Sequence, residues 1–279
     1  GKKKNIDIKK IDFFYEDILN YDGLKGVFRC FSPEYVIHQA AQVSVSTSLK
    51  EMSRDASINI MGSLNIIQLS NEFKVKKIIM ASTAAVYGNP EHIPIDLNHK
   101  LSPESPYGLS KATVEKYLSL NYTVNQLPYV ILRYANVYGP RQDSNGEGGV
   151  VAIFSNQFSR KEQPTIFGSG NQTRDFIYVK DVACANIQAI LYGENEIFNI
   201  STKTQVTINE LFKMLRNIYG ISSDFNPIFA PVRNGDIQKS TLCNKKTIQK
   251  LNWKPKVKLS EGLATTVAYY KMNSKNVIM

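Results

Sequence analysis

Tyr107 and Lys111, four residues apart in SPYGLSKATVEKYL, have the clearest capacity for chemistry in this chain. On a helix that spacing puts both side chains on one face. An ammonium beside a phenol favours the phenolate, so the tyrosine gives or takes a proton near neutral pH instead of near its ordinary value of about 10. A hydroxyl from the end of a neighbouring strand, Thr83 or Ser82 in KKIIMAST, then shares a substrate hydroxyl with it. Many helices carry Y-x-x-x-K by chance, so the motif takes its weight from its surroundings. Cys30, Cys184 and Cys243 are scattered and odd in number, which predicts neither a disulfide framework nor a metal cluster.

The elements that must hold these residues alternate between short apolar strands and amphipathic helices, the pattern of an α/β fold with a parallel sheet. Strands are predicted at 11–18, 34–41, 76–83, 129–139 and 197–202, with helices near 53–73, 107–126 and 180–192. In the first helix Ile58, Met61, Leu64, Ile67 and Leu69 form a stripe for the core or for a subunit contact. After Gly139 the chain turns to Gly, Asn, Pro and charged residues, and 203–260 mixes a helix (207–219) with irregular pieces. This predicts a smaller α+β lobe made of 139–175 and 203–279. The sheet unit is then 1–138, completed by 176–202.

At 279 residues, 43% hydrophobic and 21% charged, the chain has the composition of a globular protein, not a disordered one. No 18-residue apolar run predicts a membrane span, and no apolar signal core follows GKKKNIDIKK, so a cytoplasmic protein is expected. The net charge of +10 includes seven lysines from Lys239 to Lys258. No aromatic interleaving or helix-turn-helix pattern accompanies them, so a solvated surface with a few cations facing a small anion is expected, not a nucleic-acid face.

Seven blocks occur in order: VIHQAA (36–41), MASTAAVYG (80–88), SPYGLSK (105–111), LRYANVYGPRQ (132–142), GEGGVV (146–151), FGSGNQTRDFIYVKDV (167–182) and VRNGD (232–236). Together they resemble the extended short-chain dehydrogenase/reductase family, NAD-dependent epimerases and dehydratases, and within it the UDP-glucose 4-epimerase group. The resemblance implies a Rossmann-like doubly wound sheet, NAD as cofactor, a UDP-sugar substrate and a homodimer formed through the helices at 53–73 and 107–126. It makes Tyr107 the catalytic base, Lys111 its partner and ribose contact, and Thr83 the hydroxyl that shares the sugar's O4 proton. Asp17 and Ile18 are similar to the pair at the adenine edge, and Ala40, Ala41, Ser82 and Tyr134 to positions along the dinucleotide. Asn136, Arg174 and Arg233 match residues that hold a diphosphate, Asp236 a ribose contact, Val150 a substrate-site position, and Ile166 and Phe167 the stretch against uracil. Planar arginine forks suit a diphosphate, and a flat apolar surface suits a base. Asn136 and Asp236 also read as turn residues, and Phe167 as core. His38 belongs to a block similar to a cofactor-lining strand end, and no proton transfer is assigned to it.

Two details narrow the reaction that the resemblance implies. Related dehydratases carry Asp-Glu directly after the threonine and decarboxylases a nearby Glu, whereas Ala84 and Ala85 stand here and transfer no proton. Epimerisation needs only hydride removal at C4, rotation of the keto sugar and hydride return. Ser240 matches a position bordering the sugar's 2-substituent, and its small size predicts acceptance of UDP-GlcNAc and UDP-GalNAc beside UDP-glucose and UDP-galactose. A UDP-uronate 4-epimerase and a catalytically silent nucleotide-sugar or NAD binder are the rival readings.

The chain departs from the pattern in one place: no G-x-G-x-x-G or G-x-x-G-x-x-G stands at a strand-to-helix junction. The first βαβ segment, with the helix N-terminus that holds a pyrophosphate, is expected to be missing from these residues. On their own they are expected to aggregate or to lack bound NAD.

Overall fold

The structure, a computed structural model, describes residues 5–7, 9–144, 149–232 and 237–274. Its centre is a parallel sheet of β1 (Tyr35–His38), β2 (Lys77–Thr83), β3 (Tyr129–Tyr134) and β8 (Glu196–Ile200), in that order. All three pairings are parallel, and Thr83 stands opposite Tyr134, which stands opposite Ile200. Parallel strands are covered on both faces, which is why IIMA and YVILRY are nearly unbroken apolar runs.

Alternation along those strands divides the core in two. Ile78, Met80, Tyr129 and Ile131 face α1 (Tyr21–Phe31), α4 (Gly62–Glu72) and α5 (Pro106–Asn125) through Leu24, Phe28, Ile66, Leu69, Val114 and Leu118. Ile79, Val130, Leu132, Phe198 and Ile200 face α7 (Val179–Leu191) through Val182, Ala185 and Ala189, joined by Leu251 and Trp253. A third core lies in the smaller lobe. There α6 (Val150–Ser159), α8 (Ile208–Tyr219) and α10 (Leu259–Ser274) pack Phe154, Phe158, Leu211, Phe212, Leu215 and Leu263 against Tyr138, Phe176 and Tyr178.

Two-residue and three-residue strands build the lobe's wall. These are β4 (Asn136–Tyr138) with β7 (Phe176–Tyr178), β5 (Thr165–Phe167) with β10 (Ile228–Ala230), and β6 (Thr173–Arg174) antiparallel to β9 (Val206–Thr207). No helix among the described residues is long and apolar enough to cross a membrane.

Three expectations need correction. Residues 11–18 form no ladder: Phe13 and Phe14 are exposed, Tyr15 is 94% exposed, and a strand needs a hydrogen-bonded neighbour that no described residue supplies. The strand expected at 129–139 is two, β3 and β4, in different sheets. The helix expected at 53–73 runs through α3 (Met52–Ala56), a π-helical turn (Ser57–Met61) and α4. The wider turn swings Asn59 into the interior, where it is buried.

Candidate active site

The site lies beyond the carboxyl ends of β2 and β3, where parallel sheets collect their ligands. Local chemistry brings Tyr107 there. Ser105 caps α5 by accepting from Gly108 N–H at 3.1 Å, and Pro106 opens the helix. A Cβ on Gly108 would come within 2.6 Å of the Ala85 carbonyl oxygen, so only glycine lets the first turn of α5 settle on the loop after Thr83. Thr83 lies beside the Tyr107 hydroxyl and acts to lower its pKa. Thr83 Oγ1 in turn accepts from Ala85 N–H at 3.1 Å, which leaves its own proton for the tyrosine.

Lys111 is 3% exposed and donates to the Ala81 carbonyl at 3.0 Å, its one hydrogen bond among the described residues. Burial pulls its pKa down to about 8 against the carboxylates of Asp55 and Glu115. Burial likewise pushes Tyr107 up to about 12, opposed by the Thr83 hydroxyl and helped by the Asp55 charge. The Lys111 ammonium is turned to the Ala81 carbonyl, and desolvation is the largest influence on both groups.

The Ser82 hydroxyl donates to Glu115 Oε1 at 2.5 Å, pointing away from the face that Thr83 lines. Tyr134 closes β3 with its hydroxyl donating to Asn186 Oδ1 at 3.0 Å and accepting from Gln39 Nε2 at 3.0 Å. Ala40 and Ala41 follow the end of β1, Ala40 exposed and Ala41 half-buried. Asp17 accepts from Leu19 N–H at 2.8 Å, and the Ile18 carbonyl accepts from Asn65 Nδ2 at 2.9 Å, so this pair lies against α4. His38 is buried on Ser63 at 2.9 Å, and burial with the neighbouring Lys111 charge lowers its pKa to about 4.

The lobe brings three further candidates together. Asn136 N–H donates to the Asp175 carbonyl at 2.8 Å, next to Arg174, and Ser240 N–H donates to the Thr173 carbonyl at 3.3 Å on the other side. Arg174 NH1 donates to the carbonyls of Thr173 (2.8 Å) and Ile237 (2.6 Å). Val150 opens α6, half-buried. Phe167 is half-exposed, and Ile166, 1% exposed, turns its side chain into the lobe core by the alternation along β5. Arg233 and Asp236 lie outside the described residues.

Sequence reasoning missed the residues behind these. Gln42 and Asn59 exchange N–H···O bonds of 2.8 and 3.0 Å, and Asn59 Nδ2 also reaches Asp55 (3.0 Å) and Ser110 (3.2 Å), tying the loop of Ala40 and Ala41 to α5. Asp175, fully buried, accepts from Thr202 N–H, Thr202 Oγ1, Lys203 N–H and Leu242 N–H. Burial outweighs these donors and pushes its pKa up to about 6. A lone carboxylate inside the apolar run DFIYV was the available signal.

NAD fits these residues at one end. A buried ammonium with donors left over suits ribose hydroxyls, and Asp55 Oδ2, also buried, has no hydrogen-bond partner among the described residues. Lys111, Tyr107, Tyr134, Ala40 and Ala41 are the residues that would hold it.

A doubly wound parallel sheet with a Thr–Tyr–Lys set at its carboxyl ends defines a dinucleotide-dependent enzyme of the short-chain type. The model of the NAD dependent epimerase/dehydratase family matches residues 1–201, and the chain belongs to that family. It is 41% identical over 276 residues, 99% of this chain and 88% of the relative, to a putative UDP-glucose 4-epimerase of Methanocaldococcus jannaschii. The crystal structure of UDP-glucose 4-epimerase from Thermotoga maritima with UDP-glucose matches with a TM-score of 0.95 and 44% identity, covering 98% of this chain and 88% of that one. UDP-N-acetylglucosamine 4-epimerase from Methanobrevibacter ruminantium, in complex with UDP-N-acetylmuramic acid, matches with a TM-score of 0.91 and 34% identity, covering 98% and 88%.

Proposed function

We propose that this chain interconverts the C4 epimers of a UDP-hexose, with NAD held through the cycle. The observation that carries the reading is the Thr83–Tyr107 hydroxyl pair beside the buried Lys111 ammonium, with only methyl groups at Ala84 and Ala85. Bound NAD would supply the acceptor and donor of the C4 hydride. Tyr107, as the phenolate that the Lys111 ammonium favours, takes the O4 proton through Thr83 and returns it, so one relay serves both directions. Lys111 orients the cofactor ribose. Alanines after Thr83 give the site no acid or base for loss of water across the sugar ring.

The unit around the four-stranded sheet then carries the dinucleotide, with Asp17 and Ile18 at its far end, and the lobe built on α6, α8 and α10 carries the sugar nucleotide. Arg174, Arg233 and Asn136 hold the diphosphate, Asp236 a ribose, Val150 lines the substrate site, and Phe167 packs on the base. Ser240 borders the sugar, and its small side chain leaves room for a 2-acetamido group. A second copy of the chain covers the groove between α4 and α5, lined by Leu64, Ile67, Tyr117, Leu120 and Val124, of which Tyr117, Leu120 and Val124 are exposed.

The test is to incubate purified protein and added NAD with UDP-galactose, UDP-N-acetylgalactosamine and UDP-galacturonate separately, and to separate the epimers by chromatography. Conversion of the first two is expected. Ser240→Tyr is expected to slow the acetamido sugar at least about tenfold while sparing UDP-galactose. Conversion of the uronate alone would replace the reading with the uronate one, and no conversion of any would end it.

A further inference from the structure

A buried ion pair lies directly beneath this site, and the reaction described above does not use it. Glu115 stands one helical turn past Lys111 and Arg133 immediately before Tyr134; both side chains are 4% exposed. Glu115 Oε1 accepts from Ser82 Oγ at 2.5 Å and from Arg133 Nε at 3.0 Å, and Oε2 accepts from Arg133 NH2 at 2.5 Å. Arg133 NH1 donates to the Tyr87 hydroxyl at 2.9 Å, its guanidinium 4.8 Å from the centre of that ring. Tyr87 donates to Asn199 Oδ1 at 2.8 Å, and Asn199 Nδ2 reaches the carbonyls of Ile95 (3.2 Å) and Cys243 (3.3 Å). The chain of bonds therefore runs unbroken from the end of β2, through α5, β3 and β8, to the segment that carries Ser240.

Stability does not account for the pair. Two charges removed from water lose much of what their attraction returns, and an apolar pair of the same volume holds a fold about as well. What an apolar pair lacks is direction. Here the bonds end on neighbours of the site. Ser82 lies between Ala81, whose carbonyl holds Lys111, and Thr83, the partner of Tyr107.

We propose that Glu115 and Arg133 are positioning residues, which lock the end of β2 to α5 so that Thr83 and the Ala81 carbonyl stay in register with Tyr107 and Lys111. Its kinetic consequence rests on the epimerase reading; its structural consequence does not. Glu115→Gln keeps the shape and removes the charge. The expected result is a fall in kcat of at least about tenfold with KM within twofold, since small displacements of reacting groups are costly. In hydrogen exchange, the amides of 81–85 are expected to exchange at least about tenfold faster while those of β1 and α8 keep their rates. The pair Glu115→Met and Arg133→Met is expected to melt near the parent temperature and to remain slow. Parent kcat in the apolar pair would overturn the proposal, as would exchange that rises evenly over the whole sheet or not at all. If Glu115→Gln does not fold, Tyr87→Phe removes one link of the chain alone; faster exchange confined to 81–85 supports the proposal and unchanged exchange overturns it. A parent protein that converts no UDP-sugar would end the epimerase reading, and the exchange data would still decide the positioning.

Discussion

Tyr107 was legible because its chemistry and its helix share one signal: a capped, proline-opened first turn with Lys111 one turn on. Its protonation state was not legible, because that depends on how completely the site is desolvated. Removing the hydroxyl should cost what a proton relay contributes. We expect Tyr107→Phe to lower kcat by about 10³-fold and to leave UDP affinity, measured by calorimetry, within a few-fold; unchanged turnover would remove Tyr107 from the chemistry. His38 gives a separate prediction. Its unfolded pKa is 6.5 and its folded one about 4, so the unfolded chain binds more protons between those values. Stability is therefore lost as pH falls through that window, by about 3 kcal/mol in total. Urea unfolding of the parent and of His38→Gln should show their stability difference shifting by about that amount between pH 7 and pH 4, and parallel curves would refute it.

Among the elements, those with long apolar or periodic runs were read well from sequence: β2, α5, α7 and α8. Short pairs such as β5–β10 and β6–β9 were not, since two or three residues carry no period and their partners come from distant sequence. Residues 11–18 have the composition of a strand but no ladder, because composition does not supply a neighbour. A matched block names a position but not which way its side chain points: Ser82 turns to Glu115 and Ile166 into the lobe core. Gly108 shows an element placed by what it lacks. Gly108→Ala should force α5 off the Ala85 carbonyl, destabilising the fold by about 1–3 kcal/mol and lowering kcat by more than the unfolded fraction explains. A crystal structure of the variant with α5 unmoved would contradict this.

At the scale of the whole molecule, the two-sided sheet core and the lobe core are separate clusters, and the candidate site collects residues from both. The exposed Tyr117, Leu120 and Val124 of α5 belong to neither. If a second copy covers them, Leu120→Glu with Val124→Glu should convert a dimer to a monomer in sedimentation at micromolar concentration while the helical circular dichroism is kept; an unchanged mass would place any dimer interface elsewhere.

The central claim, one hydride leaving and returning at C4 under a single Thr83–Tyr107 relay, is tested most directly with UDP-galactose deuterated at C4. The account predicts UDP-glucose that retains the deuterium at C4, with none released to solvent. Conversion with the label lost to water, or no conversion with NAD supplied, would contradict it.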